Sequence, residues 1–249
     1  MINTSYLIQL LFSAIAALIS LSIHEFSHAF AANKLGDPTA KSLGRLSLNP
    51  IKHLDPIGAL CMVFFRFGWA KPVPINARYF KKPKRDCAIT ALAGPASNLI
   101  TACFAALIYL IVYACLKDVG FENEFHLALA QNTLDFFYIF HIVNVGLAIF
   151  NLIPVPPLDG SRILNVVLPP KAYFGIMRHE RTIYYVLIGW LLLGDAASRY
   201  LLTLPIIASD PLLSAIATYV SLSNILGILI NGVSEAIFSI FELIPFLSP

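Results

Sequence analysis

Charged side chains are scarce in this chain of 249 residues: Asp, Glu, Lys and Arg make up 12% of it and hydrophobic residues 58%. A soluble globular domain carries roughly 25% charged residues, so the composition excludes an ordinary soluble domain. No repeat or low-complexity tract marks a soluble segment. We therefore predict an all-α polytopic protein of the cell membrane, surrounded by the lipid bilayer. The net charge of +3 says little alone. We expect no nucleic-acid partner, and the oligomeric state stays open.

Signals of two other protein classes are also missing. The four cysteines lack CxxC spacing, so neither a disulfide framework nor a thiolate zinc site is indicated. The first five residues contain no Lys or Arg, so the basic start of a secretory signal peptide is absent. The apolar run that begins at Tyr6 continues to about Ala32, and we predict that it forms a retained membrane helix.

One short motif inside this apolar run carries chemistry. His24 and His28 are four residues apart, so they share one face of a helix. Such a pair can hold one metal ion, and Glu25 beside it can accept a proton from water. Chance would produce this HExxH pattern about 0.003 times in a chain of this composition. Two unrelated surface histidines are therefore the weaker interpretation.

The distribution of basic residues predicts how the chain crosses the membrane. The segment from Lys34 to Asp86 holds 11 of the 17 Lys and Arg residues, and such residues concentrate on the cytoplasmic side. The segment from Lys117 to His126 holds only one, so we place it outside. Within the basic segment, the apolar stretch from Gly58 to Phe67 is too short to span the membrane, and predicts a strand pair or a re-entrant element.

Two further crossings complete a predicted three-helix core. The second runs from Cys87 to Leu116, and the third runs from about Leu127 to Phe150 and contains His141. A polar side chain at membrane depth normally faces the helix bundle or a wet cavity. His141 can therefore be a hydrogen-bonded core residue or a metal ligand, and both interpretations stay open.

Three prolines interrupt the chain after the third crossing. Pro154, Pro156 and Pro157 cannot continue an α-helix, so we predict extended backbone that can dock an extended peptide. Asp159 follows, either as a metal ligand or as the N-cap of the next helix.

The crossings bring the polar motifs to the same side of the membrane. The first and third helices both end inside, so His24, His28 and Asp159 can meet near the cytoplasmic face. Two imidazoles, one carboxylate and an open position form the ligand set of a catalytic zinc site. After Arg181, apolar segments fit two or three more crossings. We therefore divide the chain into a metalloprotein core at residues 1–182 and additional transmembrane helices at 183–249.

Three motifs together resemble the site-2 proteases, which are zinc metalloproteases that cleave peptide bonds within or beside the membrane. The motifs are the HExxH sequence, Ala93-Gly94-Pro95-Ala96-Ser97-Asn98, and the segment from Asn151 to Gly160. Their order matches the family's three-helix catalytic core over roughly residues 6–170. The chain looks like a small bacterial member without an inserted PDZ domain or a nucleotide-sensing domain.

The resemblance implies a role for each motif residue. His24, His28 and Asp159 would bind one Zn²⁺ ion, and Glu25 would be the general base. Asn151 would hydrogen-bond the substrate backbone or the developing oxyanion, which its amide group can do.

The resemblance extends to two further pairs of residues. Gly94 and Asn98 would pack near the first helix. His53 and Asp55 lie in a segment typical of the smaller bacterial members and could line the mouth of the site. A surface turn built on Asn-Pro and Asp-Pro sequences is the alternative for these two residues.

The implied activity is hydrolysis of peptide bonds in or near transmembrane segments of membrane-protein substrates. The alternative from another class is a metal-binding membrane transporter or sensor that uses the same ligands without hydrolysis. A transporter would show two matching halves with broken helices, and the sequence contains no matching second half.

Overall fold

The structure is a computed structural model that describes residues 4–56, 58, 70–121 and 123–247. The stretch from Gly58 to Phe67, for which a strand pair or re-entrant element is predicted, lies almost entirely outside these residues. Leu54 and Ala70, which flank it, form one isolated antiparallel bridge.

The described residues fold into helices and form no sheet, which confirms the all-α prediction. The helices are α1 (Thr4–Lys34), α2 (Thr39–Ser42), α3 (Pro83–Leu116), α4 (Glu124–Leu152), α5 (Asp159–Val167), α6 (Pro170–Arg178), α7 (Glu180–Thr203), α8 (Pro205–Ala208), α9 (Pro211–Tyr219) and α10 (Leu222–Glu242). Two short 3₁₀ turns, Pro50–Lys52 and Ala77–Tyr79, lie between α2 and α3.

Among the described residues, α1, α3, α4 and α10 are long and apolar enough to cross a membrane. The first three correspond to the predicted core crossings. α7 is bent by 41° between Leu191 and Leu193, and its two parts reach the length and hydropathy of a crossing only when taken together. The chain is thus a multi-pass membrane protein.

Small and polar side chains fill the interior of the core, while large apolar side chains cover its outside. Buried positions include Ala16, Ser20 and Ala29 on α1 and Ala102 and Ala106 on α3. The exposed positions include Leu11, Ile19, Ile100, Phe104 and Ile111. Small residues let helix backbones approach closely in a bilayer, where large apolar side chains can face the lipid. Consistent with this, α1, α3 and α4 pack against one another in pairs.

The predicted motifs meet at one end of this three-helix core. His24 lies ten residues before the last residue of α1, which corresponds to about 15 Å along the helix axis. Gly94 lies in the first half of α3, and Asp159 opens α5 shortly after α4 ends at Leu152. His24, Gly94 and Asp159 therefore lie together about three helical turns before the end of α1.

The segment between α4 and α5 differs from the prediction of an open, extended edge. The helix does end before the prolines, as predicted. However, the N–H of Val155 donates to the carbonyl of Ile153 (2.8 Å), and the N–H of Leu158 donates to the carbonyl of Val155 (2.9 Å). The N–H of Ile153 donates to the carbonyl of Phe150 (3.2 Å). Because proline has no N–H, all three donors between the two helices are used. The segment is therefore a hydrogen-bonded turn rather than an open strand, and the docking of a peptide there stays a prediction.

Candidate active site

His24, His28 and Asp159 bring three potential ligand atoms together. The Nε2 atoms of the two histidines are 3.0 Å apart, and each lies 3.1 Å from Oδ2 of Asp159. Both imidazoles are buried, whereas the Asp159 side chain retains 15% of its exposure. Ligand atoms placed about 2.0–2.1 Å from a tetrahedral zinc ion are separated by roughly 3.3 Å. The triangle therefore has the size of a zinc site.

The hydrogen bonds on the far side of each imidazole fix its orientation. Nδ1 of His24 donates to Oδ1 of Asn98 (2.5 Å), and Nδ1 of His28 donates to the backbone carbonyl of Thr90 (2.7 Å). A neutral imidazole carries one N–H, so both Nε2 atoms present lone pairs to the carboxylate of Asp159. Three atoms with lone pairs that face one another in this way can coordinate a cation. Nitrogen and oxygen ligands suit Zn²⁺.

Asn98 is itself held in place by the core. Its amide group donates to Oδ1 of Asn144 (2.8 Å) and to the carbonyl of Ser20 (3.4 Å). The amide group of Asn144 donates in turn to the carbonyl of Phe140 (2.8 Å). Because the NH₂ group of Asn98 makes both of these bonds, its side-chain oxygen is left facing His24. The packing of Asn98 against the first helix is as predicted.

Gly94 allows α3 to approach the two imidazoles. A Cβ atom at this position would lie 2.6 Å from Cε1 of His24 and 2.6 Å from Cε1 of His28, and still closer to Nε2 of His28. Heavy atoms do not approach a Cβ that closely, so only glycine fits here. Gly94 therefore packs against the first helix, as predicted, and it does so directly at the ligand atoms.

Asp159 is the first residue of α5, and Leu158 occupies the N-cap position without a side-chain cap. The N-cap alternative for Asp159 is therefore not what the structure shows. Gly160 brings α5 close to the end of α4, because a Cβ there would lie 2.5 Å from the carbonyl oxygen of Ile153. This close contact holds the carboxylate of Asp159 beside the imidazoles.

Glu25 lies next to the triangle but is not part of it. Its side chain projects about 100° around the helix from that of the preceding His24. Glu25 is buried, with 9% exposure, and its Oε2 accepts a hydrogen bond from the backbone N–H of Val73 at 2.8 Å. The arrangement thus places a fixed carboxylate beside the potential metal ligands.

Asn151 lies in the last turn of α4 and is only partly buried. Its amide nitrogen donates one hydrogen bond to the carbonyl of Leu147, at 2.9 Å. An asparagine amide carries two hydrogens, so the second N–H of Asn151 can serve another acceptor. The described contacts do not join Asn151 to the triangle of His24, His28 and Asp159.

The remaining candidate residues lie outside the triangle. His141 is fully buried, donates from Nδ1 to the carbonyl of Ala102 (3.0 Å), and has its ring 4.9 Å from that of Phe238 on α10. It is a core histidine. Within the described chain, the metal-ligand group consists of His24, His28 and Asp159.

His53 and Asp55 belong to a local turn. Nε2 of His53 donates to the carbonyl of Ser47 (2.6 Å), and the ring is 2% exposed. Asn49 caps the 3₁₀ turn by accepting from the N–H of Ile51 (3.0 Å), and Asp55 accepts from the N–H of Gly58 (2.8 Å). These contacts correspond to the turn interpretation, and the alternative place of His53 and Asp55 at the mouth of the site stays a prediction.

Comparison with known proteins identifies the family. A model of peptidase family M50 matches residues 12–193. YwhC of Bacillus subtilis is 43% identical over 156 residues, which cover 63% of this chain and 68% of YwhC. Rip2 of Mycolicibacterium smegmatis is 28% identical over 188 residues, covering 74% of this chain and 67% of Rip2. MJ0392 of Methanocaldococcus jannaschii is 27% identical over 153 residues, covering 61% of this chain and 33% of MJ0392.

The names of all three relatives describe them as zinc metalloproteases. No solved structure matches the chain. The match to the family model extends over the three core helices and all the residues of the triangle. This chain therefore belongs to peptidase family M50, and is an intramembrane zinc metalloprotease of the site-2 type with Zn²⁺ as its cofactor.

Proposed function

We propose that the protein hydrolyses peptide bonds in or near the transmembrane segments of membrane-protein substrates, using the residues around the triangle. The observation that carries this proposal is the meeting of three acceptor atoms of His24, His28 and Asp159 within 3.1 Å of one another, beside the buried carboxylate of Glu25. In this proposal the three residues hold the zinc ion, and Asn98 and the carbonyl of Thr90 keep the two imidazoles in the required tautomer.

Glu25 is the group that moves the proton. When bound, zinc polarises a carbonyl group and makes water more acidic. The Glu25 carboxylate takes a proton from the attacking water while the water oxygen bonds to the scissile carbonyl carbon. The Glu25 carboxyl group then delivers this proton to the leaving amine nitrogen as the C–N bond breaks. The second N–H of Asn151 would bind the substrate backbone or the oxygen that becomes negatively charged.

The substrate must present an unwound backbone at this site. His24, Glu25 and His28 are each at most 9% exposed, so a peptide bond has to enter an enclosed space between helices. A helical substrate has its backbone groups already bonded within the helix, whereas an extended segment has them free. We therefore propose a transmembrane substrate that is locally unwound at the scissile bond.

We also propose that the site faces the cytoplasm and that residues 1–182 form the catalytic core. The orientation is supported by the 11 basic residues between Lys34 and Asp86, which favour the cytoplasmic side. The division is supported by the position of Asp159, the last residue of the triangle, well before α7 begins at Glu180.

The ligand assignment is tested by the zinc content of purified variants. His24→Ala, His28→Ala and Asp159→Ala should each lose most of the zinc and the activity, because each removes one of three protein ligands. His126→Ala is the matched control, because His126 is exposed and remote from the triangle in the sequence. Full zinc occupancy in Asp159→Ala would remove this residue from the ligand set.

A further inference from the structure

Beyond the roles proposed above, we infer that the backbone N–H of Val73 positions the catalytic carboxylate. It holds one oxygen of Glu25, so that the other oxygen stays directed at the reacting water. The inference rests on the proposed role of Glu25 as the general base. Val73 itself would touch neither substrate nor metal, so it is a positioning residue.

The contact between the two residues is short and shielded. The N–H of Val73 lies 2.8 Å from Oε2 of Glu25, and Val73 and Glu25 are 7% and 9% exposed. Among the described residues, no donor contacts the other oxygen of Glu25. The terminal torsion of a glutamate side chain is broad, so an unbonded carboxylate rotates freely. One buried, charge-assisted hydrogen bond restricts that rotation while leaving the second oxygen available.

The residues on either side of Val73 have no backbone N–H of their own. Pro72 and Pro74 flank it, and proline has no N–H. A residue before proline is also confined to extended conformations, so Pro74 restricts the backbone of Val73 as well. The donor is therefore presented by a stiff stretch of main chain, which has no side-chain rotamers that could turn it away.

The segment Lys71–Asn76 is anchored on both sides of Val73. On one side, Nη2 of Arg45 donates to the carbonyls of Lys71 (2.5 Å) and Pro72 (3.3 Å). On the other side, the N–H of Asn76 donates to Oδ2 of Asp37 (2.7 Å), a fully buried carboxylate just beyond the end of α1.

The side chain of Val73 supplies a third attachment. It packs with Ala29 of α1 and Ala40 of α2 in a small buried cluster. Glu25 and the cluster residue Ala29 belong to the same helix, so the fold sets the position of the donor relative to the acceptor.

This positioning matters because proton transfer depends on distance. A general base must lie within hydrogen-bond reach of the proton that it takes, and a misplacement of about 1 Å can reduce a rate by roughly 10²-fold. The α1 backbone places Glu25 next to the ligand His24, but it fixes only the Cα and Cβ atoms of the Glu25 side chain. The bond to Val73 fixes the far end.

The first test removes the donor and leaves the carboxylate. In Val73→Pro we expect kcat to fall by about 10-fold to 100-fold, the range for loss of a hydrogen bond to a charged group. KM and zinc content should stay near those of the native protein. Ile75→Pro is the matched control, since it adds a proline to the same segment without removing the N–H that Glu25 uses. Val73→Ala keeps the N–H and measures the side-chain contribution alone.

The second test needs no activity and does not depend on how Val73→Pro folds. Hydrogen–deuterium exchange is followed in the peptide Lys71–Asn76, where two prolines leave few exchangeable amides. Glu25→Ala should remove the protection of one amide, that of Val73, whereas Asp37→Ala should expose the amide of Asn76 instead. Unchanged exchange of this peptide in Glu25→Ala would overturn the inference.

The outcomes separate this inference from the proposed function. If Glu25→Gln retains native activity, the role of Glu25 as the base fails, whatever Val73 does. If Glu25→Gln is inactive while zinc-loaded Val73→Pro has native kcat, Glu25 keeps its role and only the positioning by Val73 fails. A fall in kcat for Val73→Pro that Ile75→Pro does not share supports the inference.

Discussion

Gly94 of α3 faces His28 of α1 so closely that a Cβ atom on Gly94 would lie 2.6 Å from Cε1 of the imidazole. This contact sets the distance between the two helices at the metal centre. A methyl group there must displace either the α3 backbone or the two histidines.

We therefore predict that Gly94→Ala loses most of its zinc and its activity, although alanine is a better helix former than glycine by about 1 kcal/mol. Zinc content of the purified, membrane-inserted protein is the measurement. Gly146→Ala is the control, because a Cβ at Gly146 would make only an ordinary contact of 3.4 Å with Ile230. Native zinc content in Gly94→Ala would mean that the helices are not packed as described.

The second prediction concerns the partner of His24. Asn98→Ala removes the acceptor that fixes the His24 tautomer, and loss of such an outer hydrogen bond typically weakens metal binding by about 10-fold to 100-fold. We expect a decrease of that size in zinc affinity, measured by competition with a chelator. Ser97→Ala is the control, since the Ser97 hydroxyl donates only to the carbonyl of Gly94 in its own helix (2.7 Å). Equal affinities for the two variants would argue against an orienting role for Asn98.

The site divides into residues that the sequence could predict and groups that it could not. The helical spacing of His24 and His28 is visible in the sequence. The distribution of basic residues predicts that Asp159 lies on the same side of the membrane as these histidines. Thr90 and Val73 contribute through backbone atoms, which no residue type reveals. Their roles depend on how distant segments pack, and a motif does not contain that information.

The turn after α4 shows a second limit of sequence reasoning. Prolines predict where a helix ends, and α4 does end at Leu152. They do not determine whether the remaining N–H groups stay free, because that depends on the turn that the chain adopts. Here the N–H groups of Val155 and Leu158 donate within the segment, so the chain forms a turn where the prolines alone predict an extended strand.

The third prediction concerns the proposed orientation. In a variant without native cysteines, Gly120→Cys should react with a membrane-impermeant maleimide in intact cells, and Lys81→Cys only after permeabilisation. Both positions are exposed, so accessibility within the protein does not distinguish them. The reverse labelling pattern would place the catalytic end of the core on the outer side.

The central claim is that Glu25 transfers the proton in peptide-bond hydrolysis, and Glu25→Gln tests it most directly. Glutamine has the same size and keeps an oxygen that can accept the Val73 hydrogen bond, but it cannot take up a proton. General acid–base catalysis typically contributes about 10²-fold to 10⁴-fold to a rate. Zinc content and cleavage of a membrane-protein substrate should be measured on the same preparation. We predict native zinc content with cleavage reduced by at least about 10²-fold; native zinc content with native cleavage would contradict the account.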